Sequence, residues 1–419
     1  MPLYLHKIRR GVSTKIQTVE AIYRQFDGRD KPEQIKHFIK YAKETWGITN
    51  VLLVGGLKSH FNADDKDSVN VGSTDWFIPV RYIDPHSEYE GIISDLYYAD
   101  LYKWNQTLED YEFDDWDNNS NGTFGEFGEE LDLYPDVYFG RLPCRNIFEV
   151  RTMVRKIISY ERPSIFDKKW MNKMIAAGGI TFEYYEGQPD GEWLCNLSLE
   201  YMSDVIDTPV RVFASNENYP RPTPNNLINE ISKGAGFLLL QGHGNAFSWD
   251  THWPEAGPDN WSGGILTYEF RFLKNRRKLP IVVVGGCHNG IFNVTLVKTL
   301  QDAKLDVDES NYHAYGALTA YCFSWKLCRI NNGGAIASTG CTGFGLGDTS
   351  NPLSLSGALE TYFFYKVGVD KVTSLGEAHS GSITKYLNEN DIQDSYENHV
   401  YSVTEFQLFG DPSLKIGGY

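Results

Sequence analysis

No stretch of this chain approaches the roughly 18 uninterrupted apolar residues of a membrane-crossing helix. The N-terminus, Met1-Pro2-Leu3-Tyr4-Leu5-His6-Lys7, has no apolar signal region, which reads as an intracellular protein or an excised domain with an added start Met. Cysteine is scarce: six in 419 residues is not a disulfide framework. If one is a catalytic thiol, the other five (Cys144, Cys195, Cys322, Cys328 and Cys341) cannot all pair within the chain. Neither Cys-x-x-Cys nor His-x-x-x-His spacing occurs, which argues against a zinc site. From Glu109 to Asp136 there is no Lys or Arg against eleven acidic residues. The net charge of −16 argues against a nucleic-acid partner, since phosphate binding needs clustered cations.

What is present describes a globular chain. Hydrophobic residues make up 41%, aromatics 14% and charged residues 22%, and the length suits two domains or lobes. Lys31 to Trp46 has a helical apolar pattern and leads into Val51-Leu52-Leu53-Val54-Gly55-Gly56, a buried strand and its turn. Phe77 to Tyr82 and Val137 to Gly140 are expected strands, and Glu149 to Glu161 an expected helix. A second lobe repeats the grammar: Met174 to Gly179 as strand and turn, a short helix over Asn225 to Lys233, then the apolar runs Gly236–Gln241 and Leu279–Gly286. Such continuous runs suit parallel strands covered on both faces.

Both of those last strands end in reactive side chains, where parallel α/β sheets place their working residues. One ends Gln241-Gly242-His243-Gly244-Asn245, the other Gly285-Gly286-Cys287-His288-Asn289-Gly290. A thiol and an imidazole at neighbouring strand ends make a nucleophile with its base. Alone, a cysteine is more often a small buried hydrophobe, and a histidine merely hydrogen-bonded. Together, each between glycines, they point to Cys287 as nucleophile and His243 as base. His288 is the rival base, but adjacent side chains in extended backbone point apart.

Gly242-His243-Gly244 and Cys287-His288-Asn289-Gly290 resemble the catalytic elements of the gingipain family, within the caspase-like cysteine peptidases. Further stretches agree in order: Val51–Gly56, Ser94–Asp100, Pro135–Pro143, Gly334–Gly340 and Leu408–Leu414. The resemblance runs from about residue 16 to the end. It implies two α/β subdomains side by side, each a mostly parallel sheet flanked by helices: 1–160, and 161–419 with the dyad. It also implies that the immunoglobulin-like and secretion domains of gingipains lie outside this sequence, and that a pro-segment upstream is a partner.

The same resemblance assigns roles. The backbone N–H groups of Gly244 and Cys287 form the oxyanion hole. Asp136 orients the imidazole, or is a turn residue after Pro135. Glu149 and Asp348 bear on the pocket for the residue before the cut (P1), selecting Lys or Arg because a buried carboxylate rejects neutral side chains. Their alternatives are a helix-start acid and a Gly-Asp turn. Phe344 supplies an aromatic wall or simply packs in the core.

Calcium is the implied cofactor. Asp117-Asn118-Asn119-Ser120-Asn121-Gly122 fits the first half of a calcium loop, within residues 115–129. Position twelve is Gly128 rather than the usual Glu, so Glu126 or Glu129 is left to close it. Asp117, Asn119, Asn121, Thr123, Glu126 and Glu129 are the candidate ligands. Three functions follow: a secreted or surface cysteine endopeptidase acting on protein or peptide substrates, a sortase-like transpeptidase of the same family, and a non-catalytic calcium-binding surface module. The intact dyad disfavours the last.

Overall fold

The computed structural model describes residues 2–63, 74–89, 91–129, 131–162, 168–215, 220–255, 261–304, 316–390, 392 and 396–419. Eight strands form one sheet: β1 (Asn50–Val54), β2 (Tyr138–Leu142), β3 (Lys173–Gly178), β4 (Thr208–Phe213), β5 (Phe237–Gln241), β6 (Ile281–Gly285), β7 (Ala337–Cys341) and β8 (Phe406–Phe409). Their order across the sheet is β1-β2-β8-β7-β6-β5-β3-β4. The pairs β1·β2, β3·β4, β3·β5, β5·β6 and β6·β7 are parallel, and β7·β8 is antiparallel. The β2·β8 pair is parallel and short, with Phe409 paired to Arg141. This is the mixed α/β architecture expected.

Strands β5 and β6 are buried along their whole length, which explains why they read as unbroken apolar runs rather than alternating ones. Helices cover the sheet: α1 (Lys31–Trp46), α2 (Ile147–Tyr160), α3 (Asp190–Tyr201), α4 (Leu355–Gly368), α5 (Leu375–Glu389) and α6 (Tyr396–Glu405). α1 begins where Asp30 accepts the Glu33 N–H and ends at Gly47 in the left-handed region (φ 64°). α4 is buried on nearly every side, packed against α3 and α5.

The strand expected over Phe77 to Tyr82 is shorter. Only Arg81–Ile83 is extended and paired, with Ile92–Ser94. Pro79 has no N–H to give a ladder, and the carbonyls of Ile78 and Pro79 accept from the buried Arg141 guanidinium instead. Arg141 also grips Asp95 through Nε and Nη2, at 2.6 and 2.7 Å.

Candidate active site

Strands β5 and β6 run parallel with Gln241 opposite Gly285. His243 and Cys287 each lie two residues further on, so the register brings the imidazole and the thiol to the same level. The glycines are needed there. A Cβ on Gly286 would sit 2.9 Å from both the Gly244 nitrogen and the His243 carbonyl carbon. One on Gly244 would strike the Asn289 amide.

Asn289 was seen in the sequence only as part of a motif. Its buried side chain donates to Asn245 O at 2.7 Å and Ser248 O at 2.8 Å, clamping the histidine loop to the cysteine loop. Trp249 adds a bond from its indole N–H to Gly285 O at 3.1 Å. His288 takes a left-handed backbone (φ 52°) and packs its ring edge-on against Phe344, 4.6 Å between centroids. That turn separates it from Cys287.

The Nε2 atom of His243 meets Thr181 O at 2.5 Å. A carbonyl only accepts, so Nε2 carries the proton and Nδ1 is the basic nitrogen. Thr181 is itself fixed. Asp190, at the start of α3, accepts from the N–H groups of Thr181 (2.7 Å), Phe182 (2.9 Å) and Gly191 (2.9 Å). Phe182 packs edge-on against the imidazole with centroids 5.6 Å apart.

Cys287 is partly exposed, unlike the other five cysteines. Burial of the sulfur pushes its thiol up to about 11, with a further push from Glu405, against the pull of the Gly345 and Cys287 N–H groups. Glu405 is itself fully buried, and burial raises its own carboxyl well above the usual range. The resting thiol is therefore neutral.

A narrow slot of about 40 Å³, room for roughly three waters, opens beside Gly286. Thr181, Phe182, Asp190, Gln241, Asp348 and Glu360 line it, together with the Gly345–Gly347 loop. Asp348 lines this slot, half-exposed and accepting from Ser350 N and Oγ, which hold its carboxyl below the usual range. Phe344 is not part of it: its ring lies among His288 and Tyr89.

Two further expected site residues are placed elsewhere. Glu149 is 3% exposed in the first turn of α2, where it accepts from Arg145 N, Tyr321 Oη and Arg329 Nε. These donors hold it below its usual range despite burial. Its carboxylate belongs to a helix start and a half-buried ion pair with Arg329, not to the slot. Asp136 accepts from the N–H groups of Leu101 and Tyr102 and lies 3.8 Å from Lys43. It precedes β2, four strand spacings from β5, or roughly 19 Å across the sheet. The orienting contact on His243 comes from the Thr181 carbonyl instead.

At the acidic loop, Asn119 and Asn121 both turn their side-chain amides onto one oxygen of Glu126. Asp117 accepts from the N–H groups of Asn121 and Gly122 and from Arg29 at 2.6 Å. The Thr123 N–H donates to Asn121 Oδ1, and Glu129 accepts from the N–H groups of Asn119 and Glu126. Among the described residues no three carboxylate, imidazole or thiolate groups gather as a metal cluster. Calcium takes oxygen donors, and in this loop the Asn119 and Asn121 amide oxygens accept from the Asn121 and Thr123 N–H groups.

Comparison with known proteins agrees with the motifs. Gingipain R2 of Porphyromonas gingivalis is 25% identical over 293 residues, covering 68% of this chain and 30% of the relative. A Lys-gingipain of that organism is 21% identical over 272 residues, 65% of this chain and 13% of the relative. The chain thus spans less than a third of the length of these curated relatives. The crystal structure of the Arg-specific cysteine proteinase gingipain R superposes with a TM-score of 0.61 at 20% identity, covering 99% of this chain and 74% of that one. A complex of the RgpB pro- and mature domains gives the same score at 19% identity. The sequence profile of peptidase family C25 matches residues 1–417, and the chain belongs to that family.

Proposed function

We propose that the chain is a cysteine endopeptidase that cuts after basic residues. The observation that carries this is the level placement of Cys287 and His243 past adjacent parallel strands, with the imidazole proton held on Nε2 by Thr181 O. Because the thiol is neutral at rest, His243 Nδ1 takes its proton as the sulfur attacks the scissile carbonyl. The acyl-enzyme forms as the imidazolium protonates the departing amine, and the imidazole then activates the hydrolytic water. The N–H groups of Gly244 and Cys287 stabilise the oxyanion; losing one such donor typically costs ~10²–10³ in rate.

A slot lined by Asp190 and Asp348 supports a cationic P1 side chain, as do the names of the relatives, Arg-specific for one and Lys-gingipain for another. Calcium belongs to the same proposal as a structural ion, held by Asn119, Asn121 and Glu126, and so do a secreted or surface location and an upstream pro-segment. The pro-domain complex of RgpB supports that partner. A fluorogenic library scanned at P1 tests the central claim: preference for Arg or Lys is expected, and preference for a neutral side chain would overturn it.

A further inference from the structure

The deepest carboxyl of the slot has no role in that mechanism. Glu360 projects from α4, is 1% exposed, and accepts from Gln241 Nε2 at 2.6 Å. A Cβ on Gly285 would lie 2.4 Å from the same Glu360 oxygen, so the carboxyl abuts the strand end that leads to Cys287. The three acids of the slot are graded in depth: Asp348 is half-exposed, Asp190 is 6% exposed and Glu360 is the most enclosed. They differ in partners too. Asp348 is engaged by Ser350, and Asp190 by three backbone N–H groups that fix the Thr181 loop. Glu360 has the neutral amide of Gln241.

A buried acid without a cation weakens a fold, and an apolar side chain at this point of α4 would pack at lower cost. We propose that Glu360 is the specificity-determining acid of the slot: its carboxylate receives the terminal cation of the P1 side chain, with Gln241 holding it in place. This rests on the basic-P1 reading above. Burial pushes the Glu360 carboxyl up to about 8. Among the described residues, the titratable groups that interact with it or share the slot are Cys195 and Asp190 of α3, Cys341 of β7, Glu405 of α6, Cys287 and Asp348. None is a cation. The incoming ammonium or guanidinium therefore supplies the charge that favours ionisation, and the Glu360 proton leaves to solvent as the side chain enters.

The test compares kcat/KM for peptides differing only at P1, with Arg against citrulline and Lys against norleucine, in the full chain. Glu360→Gln should lower both ratios by about 10²-fold, as for sites that lose a buried partner for a substrate group. Glu360→Asp, one methylene shorter, should move the Arg-to-Lys ratio toward the longer Arg. Melting curves and iodoacetamide labelling of Cys287 establish that each variant is folded. Unchanged ratios in folded Glu360→Gln overturn the assignment while leaving the basic-P1 reading intact. Should that variant not fold, an unchanged Arg-to-Lys ratio in Glu360→Asp overturns it instead. A wild-type preference for citrulline and norleucine overturns both.

Discussion

His243 holds its Nε2 proton against Thr181 O at 2.5 Å, across 62 residues of sequence. A backbone carbonyl thereby does what a third side chain does in a triad: it selects the tautomer and aims the ring. Since Asp190 fixes the Thr181 and Phe182 N–H groups, the support of the imidazole runs from the start of α3 through a loop to the ring.

The first prediction concerns the thiol. Pushed up to about 11 by burial, Cys287 should react with iodoacetamide faster as pH rises through 7 to 10. A rate that is already flat from pH 6 upward would indicate a resting thiolate and contradict the neutral-thiol mechanism. Peptide mapping should show Cys287 labelled ahead of the five buried cysteines. Cys287→Ala should abolish hydrolysis, and His243→Ala should lower kcat by ~10²–10⁴.

The strand ends were legible because β5 and β6 are apolar throughout and stop at glycines, which is how a fully enclosed parallel strand looks in sequence. Thr181, Asp190 and Glu360 were not. Thr181 acts through its carbonyl, which every residue possesses. Asp190 and Glu360 begin or ride helices far from both motifs, and no spacing announces that α3 and α4 converge below β5. Asp136 and Glu149 failed for the opposite reason. Their positions came from motif spacing, and spacing fixes neither which strand a residue precedes nor which neighbouring cation claims it.

Asn289 should matter as much as the dyad for geometry. Its amide bonds Asn245 O and Ser248 O, both in the loop that carries His243. Asn289→Ala leaves two carbonyls without that donor and should cost about 2–3 kcal/mol in urea unfolding. It should also lower kcat more than it raises KM, because the loops lose register while the slot remains. Wild-type kcat in a folded Asn289→Ala protein would remove the clamp from the argument.

Glu149→Gln should leave P1 selectivity unchanged and lower stability by about 2 kcal/mol at neutral pH, as expected for a buried charge-assisted network. The sign follows from its depressed pKa. The carboxylate contributes fully above the ordinary value of 4.5, and its contribution is lost as pH falls through the lower folded value. Wild type and variant should therefore converge in denaturation midpoint as pH falls through that lowered value. A change in the Arg-to-Lys ratio would return Glu149 to the slot.

Calcium should raise the melting temperature, since a ligand bound only by the folded state adds RT ln(1 + [L]/Kd), about 2.7 kcal/mol at a hundredfold excess over Kd. The size of the shift is set by charge. Glu126 is the carboxylate on which Asn119 and Asn121 converge, whereas the nearby Asp117 is already met by the Arg29 guanidinium at 2.6 Å. A single uncompensated carboxylate makes a weaker site than the several that tight calcium loops carry. The gain should appear at millimolar calcium rather than micromolar, and magnesium should not reproduce it, because it demands stricter octahedral geometry. Glu126→Gln should abolish the gain, and Arg29→Gln should enlarge it by freeing Asp117. Identical melting temperatures in millimolar calcium and in chelator, for both wild type and Arg29→Gln, would leave the loop as a structure held by Arg29 and backbone N–H groups alone.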